Sequence, residues 1–316
     1  MADIQKTPFV RELASSDRKT RDKAVESLTL FLRSRTDLSL LELLKLWKGL
    51  FFCFYHSDRP LTQQSLARSL SYSLVPTLPR ATLHRFLRAF WITIGRDYHA
   101  LDRLRLDKYL LLIRCYVGVA FEVFLKDGGS VETGKKRKRN GKMGNEKKKR
   151  TKTQKEGRGS SEGQEEKEEK EEEEKWSDLS SYLSILEEGP LCPVNFDPEA
   201  PKVSSEEEGL SIAMPHGPDG LRYHILDIWL DELEKVLEFE EDPETGRKAI
   251  KGGIPMELLL RPVEKLVRES PYKPVRTRAA ETLEDERLVE WGVREKKESQ
   301  SEEEEEESEE EWGGFD

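Results

Sequence analysis

Cysteine is scarce. Only Cys53, Cys115 and Cys192 occur in 316 residues, and none form a CxxC pair. An odd, scattered set cannot build a disulfide framework and fits a reducing compartment. Cys53 and Cys115 sit in apolar stretches and read as buried small hydrophobes rather than nucleophiles. Long apolar runs are missing as well. No stretch approaches the ~20 residues that a spanning helix needs, so no membrane partner is expected. The opening MADIQKTPFV lacks the apolar core of a signal peptide. Gly-rich phosphate loops, GxSxG and HExxH are absent. The histidines, His56, His84, His99, His216 and His224, show no metal-ligand spacing with a cysteine. No catalytic residue, metal or cofactor is therefore expected. Apolar residues, at 35% against 37% charged, are too few for one compact globule over the whole length.

What is present is charge, unevenly placed. The chain carries a formal net charge of −10. Residues 135–155 hold twelve Lys and Arg against Glu146, a net +11. Residues 162–175 hold nine Glu against three Lys, a net −6, and residues 302–311 hold nine Glu and no base. The rest is left at about −6, an ordinary value for a soluble body. Blocks of like charge repel themselves and hold too little apolar surface to offset the entropy of ordering. Residues 127–175 thus read as a disordered linker, basic then acidic, opened by Asp127-Gly128-Gly129-Ser130. Residues 293–316 read as a disordered acidic tail. The folded material is expected over 5–126 and 176–292.

The N-terminal part predicts helices. In 17–34, Ala24, Val25, Leu28, Phe31 and Leu32 share one face, with Ser16 or Asp17 as the cap. In 39–56, Leu40, Leu43, Leu44, Trp47, Leu50, Phe51 and Phe54 do the same, and Leu41, Leu46 and Phe52 widen the stripe, as in a helix covered on more than one side. Asp58-Arg59-Pro60 breaks the chain and restarts it, because proline is tolerated in a first turn. Further helices are predicted over 60–75, 80–95 and 101–125. Downstream, the pattern predicts a short helix over 176–187, a proline-rich connector over 189–216, and helices over 218–239, 255–269 and 274–291. Three helices are thin for an independent domain, so 176–292 is expected to pack on the N-terminal part and extend it. The fold class is all-α, a HEAT- or armadillo-like helical stack.

The basic run is the most informative chemistry. Lys135, Lys136, Arg137, Lys138 and Arg139, followed by Lys147, Lys148, Lys149 and Arg150, form two clusters that suit nuclear localisation or phosphate contact by counterion release. No aromatic interrupts them, so base stacking is not expected there. Arg103, Arg105 and Arg114, with other helical arginines, would add a folded positive surface. Asp102 and Asp107 are the carboxylates nearest a metal-dependent nuclease pattern, but Arg103 and Asp107 also stand at the spacing of a plain helical ion pair.

The stretch Leu44-Lys45-Leu46-Trp47-Lys48-Gly49-Leu50-Phe51-Phe52-Cys53, then Ser57-Asp58-Arg59-Pro60-Leu61, resembles the ribosomal RNA-processing protein 1 family of the nucleolar Nop52 type. Phe86-Leu87-Arg88-Ala89-Phe90-Trp91 and Asp102-Arg103-Leu104-Arg105-Leu106-Asp107-Lys108-Tyr109 strengthen it. Thr20-Arg21-Asp22-Lys23-Ala24-Val25 and the VRTRAAETLEDERLVEW segment are similar to the family's first and last helices. The resemblance implies a helical, non-enzymatic nucleolar assembly factor of the large ribosomal subunit that supports precursor-rRNA processing. Its partners would be pre-large-subunit particles, other assembly factors and precursor rRNA, without homo-oligomers. Lys48, Arg59, Arg103, Arg105, Lys108 and Arg114 are the candidate partner or RNA surface. The glutamate runs motivate a rival reading, an acidic histone chaperone or chromatin adaptor.

Overall fold

The computed structural model describes residues 11–140, 174–194, 218–241 and 248–295. Most of the charged linker and nearly all of the acidic tail lie outside them. Helix α1 spans Arg18–Ser34 and α2 spans Leu40–Tyr55. Asp17 caps α1 by accepting from the Thr20 amide at 2.9 Å. Ser39 and Glu42 form a reciprocal capping box on α2, which satisfies two amides that the first turn leaves unpaired. Helix α3 covers Pro60–Arg68.

Sequence periodicity runs α3 on to residue 75, and here the structure differs. A π-helical turn occupies Ser69–Ser73 and a 3-10 turn occupies Val75–Thr77. The Tyr116 hydroxyl donates to the Leu70 carbonyl at 2.6 Å, and Ser71 Oγ donates to the Ala67 carbonyl at 2.7 Å. Side chains entering the ladder in this way open it, and Pro76 withholds an amide just beyond.

Helix α4 spans Arg80–Asp97 and α5 spans Arg103–Asn140. The chain therefore remains helical past Asp127, where composition places the start of the linker. Extending an existing helix adds one hydrogen bond per residue fixed, without a new nucleus, and the Lys, Arg and Glu of this stretch are good helix formers. Helix α6 is Ser177–Glu188 and α7 is Asp219–Glu234. The stretch read as the end of one helix over 218–239 instead leaves α7 and enters strand β1, Phe239–Glu241. That strand pairs antiparallel with β2, Lys248–Ile250, Phe239 facing Ile250. Helix α8 is Met256–Glu269. The predicted helix over 274–291 divides into α9, Lys273–Leu283, and α10, Glu286–Glu290. Asp285 breaks it, because its side chain accepts from the Arg287 amide and starts a new helix.

The result is an all-α stack with one small hairpin. A single apolar core runs from Leu13 to Trp291. Trp47 anchors its N-terminal half: the ring lies 5.1 Å from Phe86, 5.0 Å from Phe90 and 5.3 Å from Tyr116. Its Nε1 donates to the Phe86 carbonyl at 3.1 Å, so the indole is buried without losing its hydrogen bond. Helix α5 is the shared wall. Its Tyr116 stacks on Phe90 at 3.9 Å, and its Phe121 meets Trp229 of α7 edge-on at 5.0 Å.

Candidate interaction surface

The family-like motifs converge where α2 ends and α5 begins. A helix end leaves carbonyls without intrahelical donors, and two cations meet those of Tyr55, His56 and Ser57, where α2 runs out. Lys108 Nζ donates to the Tyr55 carbonyl at 2.7 Å and to the Ser57 carbonyl at 2.9 Å, and lies 3.5 Å from Asp58. From the other side, Arg21 donates to the His56 carbonyl at 3.2 Å while holding the Ser15 and Ser16 carbonyls at 2.8 Å. The Tyr109 hydroxyl donates to the Phe51 carbonyl at 2.9 Å. Burial pushes the Lys108 ammonium below its ordinary value, against the pull of Asp58.

Around this clamp, Tyr55 donates to Asp102 at 3.3 Å and the Arg105 guanidinium lies 4.3 Å over the Tyr55 ring. Arg105 also pairs with Asp102, and that hydrogen bond holds the Asp102 carboxyl below its usual range. Arg105, rather than Arg103, thus makes the ion pair on this turn. Asp102 is committed to Tyr55 and Arg105, so it does not form an open carboxylate pair with the exposed Asp107. Lys48 pairs with Asp97 at 2.8 Å and lies over the Phe51 and Phe52 rings. Burial raises the Asp97 carboxyl, but hydrogen bonds from Lys48 and Arg96 bring it below its ordinary value.

The nominated cations separate into two groups. Lys108 is buried, and Arg114 spans a seam on the far side of α5, pairing with Asp231 at 2.8 Å and with the buried Glu232. Both are fastenings between helices. Lys48 and Arg105 are partly exposed, and Arg59 and Arg103 are exposed. Lys135, Lys136, Arg137, Lys138 and Arg139 lie near the end of α5. Lys147, Lys148, Lys149 and Arg150 fall outside the described residues. Arg21 was not nominated from sequence. Its signal was its position on the Ala24, Val25 and Leu28 face of α1, where a charge needs a buried partner. Among the described residues, no three His, Cys, Asp or Glu side chains group as metal ligands, and no helix is long and apolar enough to cross a membrane.

Comparison with known proteins places these motifs. The model of the family described as nucleolar protein Nop52 matches residues 4–136 and 201–314. The chain belongs to the Nop52 family. Human ribosomal RNA processing protein 1 homolog B is 31% identical over 240 residues, covering 74% of this chain and 23% of that protein. Human homolog A is 37% identical over 125 residues, or 38% of this chain and 27% of its own length. The Drosophila melanogaster homolog is 29% identical over 120 residues, 36% of this chain and 17% of that protein. The chain thus spans less than a third of the length of these curated relatives. The Nop52 match covers both the α2–α5 junction and the α7–α10 region, where Lys108, Arg114 and Arg287 join neighbouring elements.

Proposed function

We propose that this Nop52-family chain is a non-enzymatic scaffold in nucleolar precursors of the large ribosomal subunit, where it supports ribosomal RNA processing. The observation that carries the reading is the Nop52 match on both halves of one helical core, together with relatives named for ribosomal RNA processing. The fate of the motif residues supports the absence of catalysis. Lys108, Arg21, Tyr109 and Trp47 spend their polar groups on backbone carbonyls, which fixes shape rather than presenting reactive atoms. The basic residues 135–139, carried at the end of α5, suit nuclear import and sequence-independent phosphate contact.

Depleting the protein and sizing precursor rRNA tests the reading. Large-subunit precursors should accumulate while small-subunit precursors do not. An unchanged large-subunit precursor profile overturns it, as does a purified complex that retains histones, rather than precursor RNA and ribosomal proteins, after nuclease treatment.

A further inference from the structure

Helix α2 carries a second stripe that the core does not use. Leu41, Lys45, Lys48 and Phe52 follow one another at i, i+4, i+7 and i+11 and so share a face. Leu41 is 53% exposed and Phe52 38% exposed. At 1.5 Å rise per residue these two apolar ends stand roughly 16 Å apart, with both ammonium groups between them. The stripe is held in place from below. Phe52 meets Phe51 edge-on at 5.8 Å, and Lys48 is fixed by Asp97.

We infer that this stripe docks an amphipathic helix of another protein, one that places a carboxylate opposite Lys45 between two apolar anchors. The inference rests on the scaffold reading above and names the partner's chemistry. Charge selects the occupant: Asp97, 15% exposed, answers Lys48 and Arg96 from beneath, which leaves Lys45, without an ion pair among the described residues, as the cation that the stripe offers outward. A second copy of this chain fits badly, because packing two such stripes antiparallel brings four ammonium groups together. Single-stranded RNA also fits badly. Base stacking needs an open ring face, whereas Lys48 Nζ lies 5.2 Å over Phe52 and Arg105 covers Tyr55. Exposed Leu41 and Phe52 give nothing to a phosphate. Apolar anchors spaced along one helical face, with charges beside them, are the pattern by which one helix recognises another.

The test is photo-crosslinking in cells with p-benzoylphenylalanine at position 41 of the full chain, followed by mass spectrometry of the attached peptide. The expected product is a protein segment with an acid between apolar residues at helical spacing. Lys45→Glu should lower its yield at least tenfold, and exchanging the facing acid for lysine should restore it. Lys45 is half-buried and makes no ion pair among the described residues, so a circular dichroism melt of Lys45→Glu should show the fold retained. Crosslinks to RNA, to a second copy or to residues 296–316 overturn the inference, as does no crosslink or a yield indifferent to Lys45→Glu. Stray crosslinks with stalled large-subunit precursors on depletion retire the docking surface alone. An unchanged precursor profile retires the scaffold reading itself.

Discussion

Lys108 Nζ donates to the Tyr55 carbonyl across 2.7 Å, so a cation on α5 closes the C-terminus of α2. Its side chain is 3% exposed, and removing it takes away the donor that the Tyr55 and Ser57 carbonyls share. Lys108→Met should therefore destabilise the fold by about 1–3 kcal/mol, the usual cost of leaving buried polar groups unsatisfied. Urea denaturation followed by far-UV circular dichroism measures this. A variant as stable as the parent would mean that water replaces the ammonium, and that the clamp is not what fixes the junction.

Arg114 and Glu232 make the corresponding fastening between α5 and α7. Glu232 is 2% exposed at its side chain and shares Arg114 with Asp231, while Lys235 supplies a second cation at 2.6 Å. Arg114→Met leaves a buried carboxylate short of a partner, and breaking buried pairs in this way costs about 3–5 kcal/mol. Lys235 should keep the loss toward the lower end. Adding Glu232→Leu to Arg114→Met should recover much of it, because the stranded charge is then gone. Melting temperatures of the two single variants and the double variant decide this. A double variant weaker than Arg114→Met alone would place the stabilisation in the pair itself.

Gly118 on α5 lies under the same seam. A Cβ there would stand 2.6 Å from Glu232 Oε2 and closer still to the Tyr72 hydroxyl. Tyr72 is partly exposed and can swing away, whereas Arg114 and Lys235 pin Glu232. Gly118→Ala should lose about 1–3 kcal/mol to overpacking, although alanine gains about 1 kcal/mol of helix propensity. Combining it with Glu232→Gln should not relieve the strain, whereas Glu232→Ala should. Chemical denaturation of both combinations tests the steric cause.

The all-α stack was legible in the sequence because the apolar spacing in α1, α2 and α4 repeats over several turns. Ser39-x-x-Glu42 and Asp17 even mark two of the starts. The π turn at Ser69–Ser73 was not legible, since it depends on Tyr116, a residue that periodicity assigns simply to the face of another helix. The β1–β2 hairpin was missed for a related reason. Phe239 reads as a continuation of the α7 stripe, but in the structure it packs on Trp291 at 5.5 Å, far along the chain. The candidate surface was only half legible. Motif matching found Lys48, Arg105 and Lys108 but could not tell a helix clamp from an open cation, because that difference lies in which carbonyls each side chain can reach.

The last prediction concerns acid. Asp285 caps α10 and accepts from the Arg287 guanidinium at 2.9 Å, while Arg287 also pairs with Asp231 at 3.0 Å. The hydrogen bond from Arg287 holds the Asp285 carboxyl below its ordinary 3.8, against the opposing effect of burial. A carboxyl whose folded pKa is depressed binds fewer protons folded than unfolded. The stability it contributes is therefore fully present above its unfolded pKa and is lost as pH falls through the folded one. Asp285→Asn removes that term, so the parent should exceed the variant in stability at pH 7 and the two should converge below pH ~4. Denaturant midpoints measured from pH 7 to pH 3 follow the difference. A gap that stays constant across the range would show that capping geometry, which asparagine preserves only in part, outweighs the charge on Asp285.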